Sequence, residues 1–161
     1  CALATQRCIL KSFQISNLEF YEAVGGGKSA VEMCDSLNSY EKISAKLVYG
    51  SEGYSAFRQA LSLLNKDPEN TRIAVNFLRG ALFGFRGWRC FASSWIAAMF
   101  FGHFSVILGY LEKEDLVAVF DVNASYGLFL VPSRRLFDAV DTMDNTETRA
   151  LIVVTRDGKK I

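Results

Sequence analysis

His103 and Asp121 are the residues whose types and spacing most directly suggest chemistry. They stand 18 residues apart in the sequence. Between them the chain reads as a hairpin: an apolar run from Gly102 to Tyr110, a charged turn Glu112-Lys113-Glu114-Asp115, and a second run from Leu116 to Val122. A histidine opening one strand and a carboxylate closing the next antiparallel strand lie at the same end of a sheet. There a carboxylate can fix the tautomer and orientation of an imidazole acting as a base. His103 is the single histidine of the chain. The alternative is a pair that meets by chance at the strand ends, and spacing alone favours that blander view.

A nucleophile changes the balance. Residues 1–14 read as a helix, with Ala2, Leu3, Ile9, Leu10 and Phe13 forming an apolar stripe. Cys1 then sits at the helix N-terminus, where free N–H groups and the helix dipole favour a thiolate. Cysteine at a helix start, then a distant histidine, then aspartate, is the order of papain-type nucleophilic catalysis. Cys1 could instead be a tag remnant, an arbitrary start or a lipidated mature terminus.

Several ordered motifs resemble one family. Gly102-His103-Phe104-Ser105, the strand ending in Asp121-Val122, Val131-Pro132 followed by Leu136 to Asp144, and Arg72 to Arg79 resemble segments of the phytochelatin synthase catalytic domain. Cys1 falls where that family has its nucleophile. The resemblance implies an α+β, papain-like cysteine protease fold, with an N-terminal helical part and a C-terminal antiparallel sheet. It implies a single catalytic domain over 1–161 and a Cys1, His103, Asp121 triad. Gly102, Tyr126, Trp95 and Phe101 are expected at the substrate site.

The departures shape the expected substrate. The family has Cys-Gly where this chain has Cys1-Ala2. It has a glutamine just before the nucleophile that helps form the oxyanion hole, whereas Gln6 lies on the other side of Cys1. Asn123-Ala124-Ser125-Tyr126 replaces a stretch carrying two basic residues. An apolar insertion, about 86–101, holds Trp88, Phe91, Trp95, Ile96, Met99, Phe100 and Phe101. Lost cations and added aromatic surface argue against glutathione and for a longer, more apolar amide or thioester. The expected partners are a small peptide or thioester-activated substrate, a carrier protein, or the chain's own cleaved N-terminal segment. Cleavage just before Cys1, by Cys1 itself or by another protease, is a further expectation, since relatives place this residue internally. A plain cysteine peptidase or amidase is the alternative activity. An inactive binding module whose insertion docks a partner is the alternative of another class.

Composition sets outer bounds. Half of the 161 residues are hydrophobic and the net charge is +1, which gives no electrostatic case for nucleic acid. Cys1, Cys8, Cys34 and Cys90 lack metal-site spacing, so no metal and no cofactor is expected. Scattered cysteines suggest reduced thiols and a cytoplasmic setting. Cys90 to Leu111 carries no Asp, Glu, Lys or Arg over 22 residues. Its serines, glycines and histidine favour a helix or hairpin over the cleft and then a core strand, rather than a membrane span. Val24-Gly25-Gly26-Gly27-Lys28-Ser29 lacks the first glycine of a phosphate-binding loop, and reads as a linker ahead of a helix over 28–40. Further helices are expected at 53–65 and 133–143, and strands at 44–49, 72–78, 103–111, 116–122, 127–131 and 150–156.

Overall fold

The computed structural model describes residues 1–15, 28–83, 102–144 and 146–156. Within them a six-stranded antiparallel sheet is covered by helices on both faces. The strands are β1 (Ile43–Tyr49), β2 (Thr71–Leu78), β3 (Gly102–Leu111), β4 (Leu116–Phe120), β5 (Leu128–Pro132) and β8 (Ala150–Arg156). Their spatial order is β1-β8-β2-β3-β4-β5. A two-stranded ribbon, β6 (Met143–Asp144) and β7 (Glu147–Thr148), leads into β8.

Strand alternation decides what each face carries. Ile73, Val75 and Phe77 of β2, Val117 and Val119 of β4, and Leu151 and Val153 of β8 point to one face. There they meet α3 (Tyr54–Lys66), α4 (Arg79–Phe83) and α5 (Ser133–Val140) through Phe57, Leu61, Leu82, Leu136 and Phe137. Ala74, Phe104, Val106, Ile152 and Val154 point the other way. They meet α1 (Ala2–Ser12) and α2 (Ala30–Asn38) through Ile9, Leu10, Met33 and Leu37. On this second face α1 and α2 stop short of β5, and Leu128 and Leu130 stay exposed.

Local chemistry sets the boundaries. Ser29 and Glu32 form a reciprocal capping box at the start of α2: Glu32 N–H donates to Ser29 Oγ (3.2 Å), and Ser29 N–H donates to Glu32 Oε2 (2.7 Å). The end of the glycine tract is thus a helix cap. Gly53, with φ of 90°, takes a left-handed turn into α3 that other residues resist.

The structure differs from the sequence expectation in several places. The helix expected over 133–143 ends at Val140, and the chain turns into the β6–β7 ribbon. The strand expected to reach residue 122 ends at Phe120, because Asp121 turns its side chain back on the chain: Asn123 N–H donates to Asp121 Oδ1 at 2.8 Å. The helix α4 and the short 3-10 turn Gly50–Glu52 were not expected. The layout is also not helices first and sheet after, since β1 and β2 interleave with the early helices and α5 follows β5. The class is α+β. The insertion, with Trp95 and Phe101, and Cys90 lie outside the described residues. No helix among the described residues is long and apolar enough to cross a membrane.

Candidate active site

β3 and β4 bring His103 and Asp121 together. In the antiparallel register Val106 faces Phe120, so the start of β3 and the residue after β4 share one end of the sheet. His103 Nε2 lies 2.8 Å from Asp121 Oδ1. Both side chains are buried, Asp121 fully and His103 at 6 % exposure. The imidazole packs edge-on against Phe77 (ring centroids 5.6 Å apart), its partner across the β2–β3 pair.

A carboxylate only accepts, so as a hydrogen bond the Nε2–Asp121 contact places the proton on Nε2. The other ring nitrogen, Nδ1, is then the one free to act as base. Burial lowers the proton affinity of His103 below the ordinary histidine value of 6.5. Asp121 opposes that shift, while the positive charge of Arg79 adds to it.

Cys1 is exposed at the N-cap of α1, a helix packed against β2 and β3. Its side chain makes no capping hydrogen bond, and its carbonyl accepts from Thr5 N–H at 2.9 Å. Its backbone nitrogen lies within electrostatic range of His103. The structure thus joins His103 and Asp121 directly and sets Cys1 at the helix end on this side. Among the described residues no hydrogen bond links the Cys1 thiol to the imidazole.

Of the expected substrate residues, Gly102 precedes His103, and a Cβ there would approach Asn76 Oδ1 to 3.0 Å and Arg149 Nε to 3.1 Å. Tyr126 lies in the turn after Asp121, exposed, with its ring stacked on Phe83 (5.3 Å) and under the guanidinium of Arg79 (4.8 Å).

Two arginines at this end were missed as site residues. Arg79 opens α4, and its Nη2 lies 2.9 Å from His103 Nε2 and 3.8 Å from Asp121 Oδ2. Arg149, buried beside Gly102, reaches Asp144 Oδ1 at 3.7 Å and donates to the Met143 carbonyl. Asn76 Nδ2 donates to the other Asp144 oxygen at 3.3 Å. Two cations, Arg79 and Arg149, thus lie at this end of the sheet, Arg149 with its charge turned to Asp144. Arg79 gave one usable signal, its place directly after a strand that pairs with the histidine strand.

A cavity of about 540 Å³ lies further along β3, lined by Cys8, Leu64, Arg72, Leu108 and Phe120 among others. It contains no member of the His103 cluster. No group of His, Cys, Asp and Glu side chains among the described residues could hold a metal ion.

Comparison with curated proteins yields no match. The family model for phytochelatin synthase matches residues 21–150, a stretch that contains Arg79, His103, Asp121 and Arg149. Members of that family are γ-glutamylcysteine transpeptidases. On this match the chain belongs to the phytochelatin synthase family, whose chemistry is of the cysteine-dependent acyltransferase or peptidase type.

Proposed function

We propose that the chain transfers acyl groups through a thioester formed on Cys1, within a papain-like fold. The observation that carries this reading is the buried Nε2–Asp121 contact of the single histidine, which leaves Nδ1 as the base. His103 Nδ1 takes the Cys1 thiol proton. The thiolate adds to the substrate carbonyl, and the carbon–nitrogen or carbon–sulfur bond to the leaving group breaks. The leaving amine or thiol departs with the proton from the imidazolium, and a thioester remains on Cys1. An incoming amine then attacks, loses its proton to His103, and the carbon–sulfur bond breaks to restore the thiolate. Water in place of the amine would make the enzyme a peptidase or amidase. Exclusion of water from the site would favour the amine.

The acyl donor we propose is longer and more apolar than glutathione, as the aromatic-rich stretch 86–101 suggests. A second reading is favoured by Arg79, a partly exposed cation at the site end of the sheet: a donor bearing a carboxylate, as glutathione does. The test is intact mass after incubation with apolar acyl thioesters and with glutathione, followed by peptide mapping. Acylation at Cys1 by the thioesters alone supports the first reading, and by glutathione the second. Label on Cys8 instead of Cys1 would overturn both.

A further inference from the structure

The contacts around His103 Nε2 cannot all be hydrogen bonds. Arg79 Nη2 (2.9 Å) only donates, and Asp121 Oδ1 (2.8 Å) only accepts when ionised. If Nε2–H donates to Asp121, Arg79 faces a proton. If Nε2 accepts from Arg79, its lone pair faces the carboxylate. Meanwhile two buried polar atoms beside this contact have no hydrogen-bond partner among the described residues: Arg79 Nε, a donor, and Asp121 Oδ2, an acceptor. They belong to side chains whose charged groups are already within 3.8 Å.

We propose that Arg79 is a positioning residue whose working partner is Asp121 Oδ2, reached by a small turn of the guanidinium away from His103. That turn removes the conflict at Nε2 and gives Asp121 Oδ2 a partner in Arg79 Nη2, now 3.8 Å away. Asp121 is then held from three sides: Arg79 on Oδ2, and the Asn123 N–H and His103 Nε2–H on Oδ1. The carboxylate cannot rotate away from the imidazole, and the neutral ring is fixed with its proton on Nε2. The ring of Tyr126 supports the guanidinium in this role, since a cation over an aromatic face is held without consuming its hydrogen-bond donors.

The charge of Arg79 has a second consequence. Among the described residues the charged side chains that face His103 are Asp121 after β4 and Arg79 on α4; Arg149 and Asp144 lie one residue away, at Gly102. Arg79 offsets the pull of Asp121 for a proton on the imidazole. Without it the histidine stays protonated to higher pH and is a poorer acceptor for the thiol proton near neutrality.

This inference rests on the acyl-transfer reading for its catalytic meaning, but its test does not depend on turnover. A single histidine makes the measurement unambiguous: nitrogen-15 spectra of His103 across pH report both its tautomer and its titration. In the wild type the neutral ring is expected to carry its proton on Nε2. In Arg79→Met and Arg79→Gln its titration should move to higher pH, and the acid limb of kcat/KM should move up with it. Arg79→Lys should restore most of the wild-type titration. A neutral wild-type ring protonated on Nδ1 would overturn the proposal, because Arg79 would then be donating to Nε2. So would an unchanged titration in folded Arg79→Gln. The wild-type tautomer decides the question even where variants fail to fold. If the titration shifts as expected while His103→Ala keeps full turnover, the Arg79–Asp121 pairing stands and the acyl-transfer reading falls.

Discussion

His103 is flanked by a carboxylate and a guanidinium that pull its protonation in opposite directions. Burial, aided by Arg79, outweighs the pull of Asp121 and keeps the ring neutral below the pH at which a free histidine would charge. The acid limb of kcat/KM set by this residue should therefore lie below 6.5: the base form is the competent one, and its range extends downward when proton affinity falls. A pH–rate profile checks this. Cys1→Ser and His103→Ala should abolish turnover, and Asp121→Asn should leave a small residue, because an orienting group costs less than the nucleophile or base. Full activity in His103→Ala, with the variant shown to be folded, would sink the assignment. The pair was legible in the sequence because strand alternation and a charged turn fix which residues share a sheet end. Arg79 was not, because a five-residue helix is too short to show a period, and a lone arginine after a strand looks like a solvated surface residue.

At the level of elements, agreement is closest where burial imposes a pattern. The runs that became β2, β3 and β8 are largely apolar stretches of strand length, buried on both faces, and α3 carries a helical period; each marks itself. The β6–β7 ribbon has two residues per strand, which leaves no pattern to read. The end of β4 was also hidden: Leu116 to Val122 is continuously apolar except for Asp121, and only the Asp121–Asn123 turn stops it. The glycine tract before α2 resembled a phosphate-binding loop, yet its final serine has a structural task. Ser29→Ala removes the acceptor for Glu32 N–H and should destabilise the protein by about 1 kcal/mol, read as a lower denaturant midpoint at unchanged m-value. Ser29→Asn should recover most of the loss, since asparagine caps as well as serine. Equal stability of wild type and Ser29→Ala would mean that α2 is held by Met33 and Leu37 against the sheet, not by its cap.

Across the whole molecule, the β3–β4 hairpin carries the candidate site at one end and a staple at the other. The site lies at the Gly102–Asp121 end. At the turn end Asp115, with φ of 53°, accepts from Ser133 Oγ (2.7 Å) at the start of α5, from Tyr110 (2.8 Å) on β3 and from Tyr54 (3.1 Å) on α3. Arg58 lies 3.8 Å away. One carboxylate thus ties the hairpin to the two larger helices on its face. The hydrogen bond from Ser133, then that from Tyr110, hold its carboxyl below the ordinary value of 3.8. A depressed carboxylate stabilises the fold fully above its unfolded value and loses that contribution as pH falls through the folded one. Asp115→Ala leaves three hydroxyls without this acceptor. The side chain is 44 % exposed, so water replaces part of what is lost. The expected cost is about 1 kcal/mol near neutral pH, and the gap to wild type should narrow as pH drops below 3.8. Because the staple is at the far end of the hairpin, kcat should stay at the wild-type value at temperatures where the variant is folded. Thermal melts across pH, set beside kcat at one pH, measure the two effects separately. A large fall in kcat in the folded variant would show that the two ends of the hairpin are coupled, and that Asp115 acts through β3 and β4 on His103.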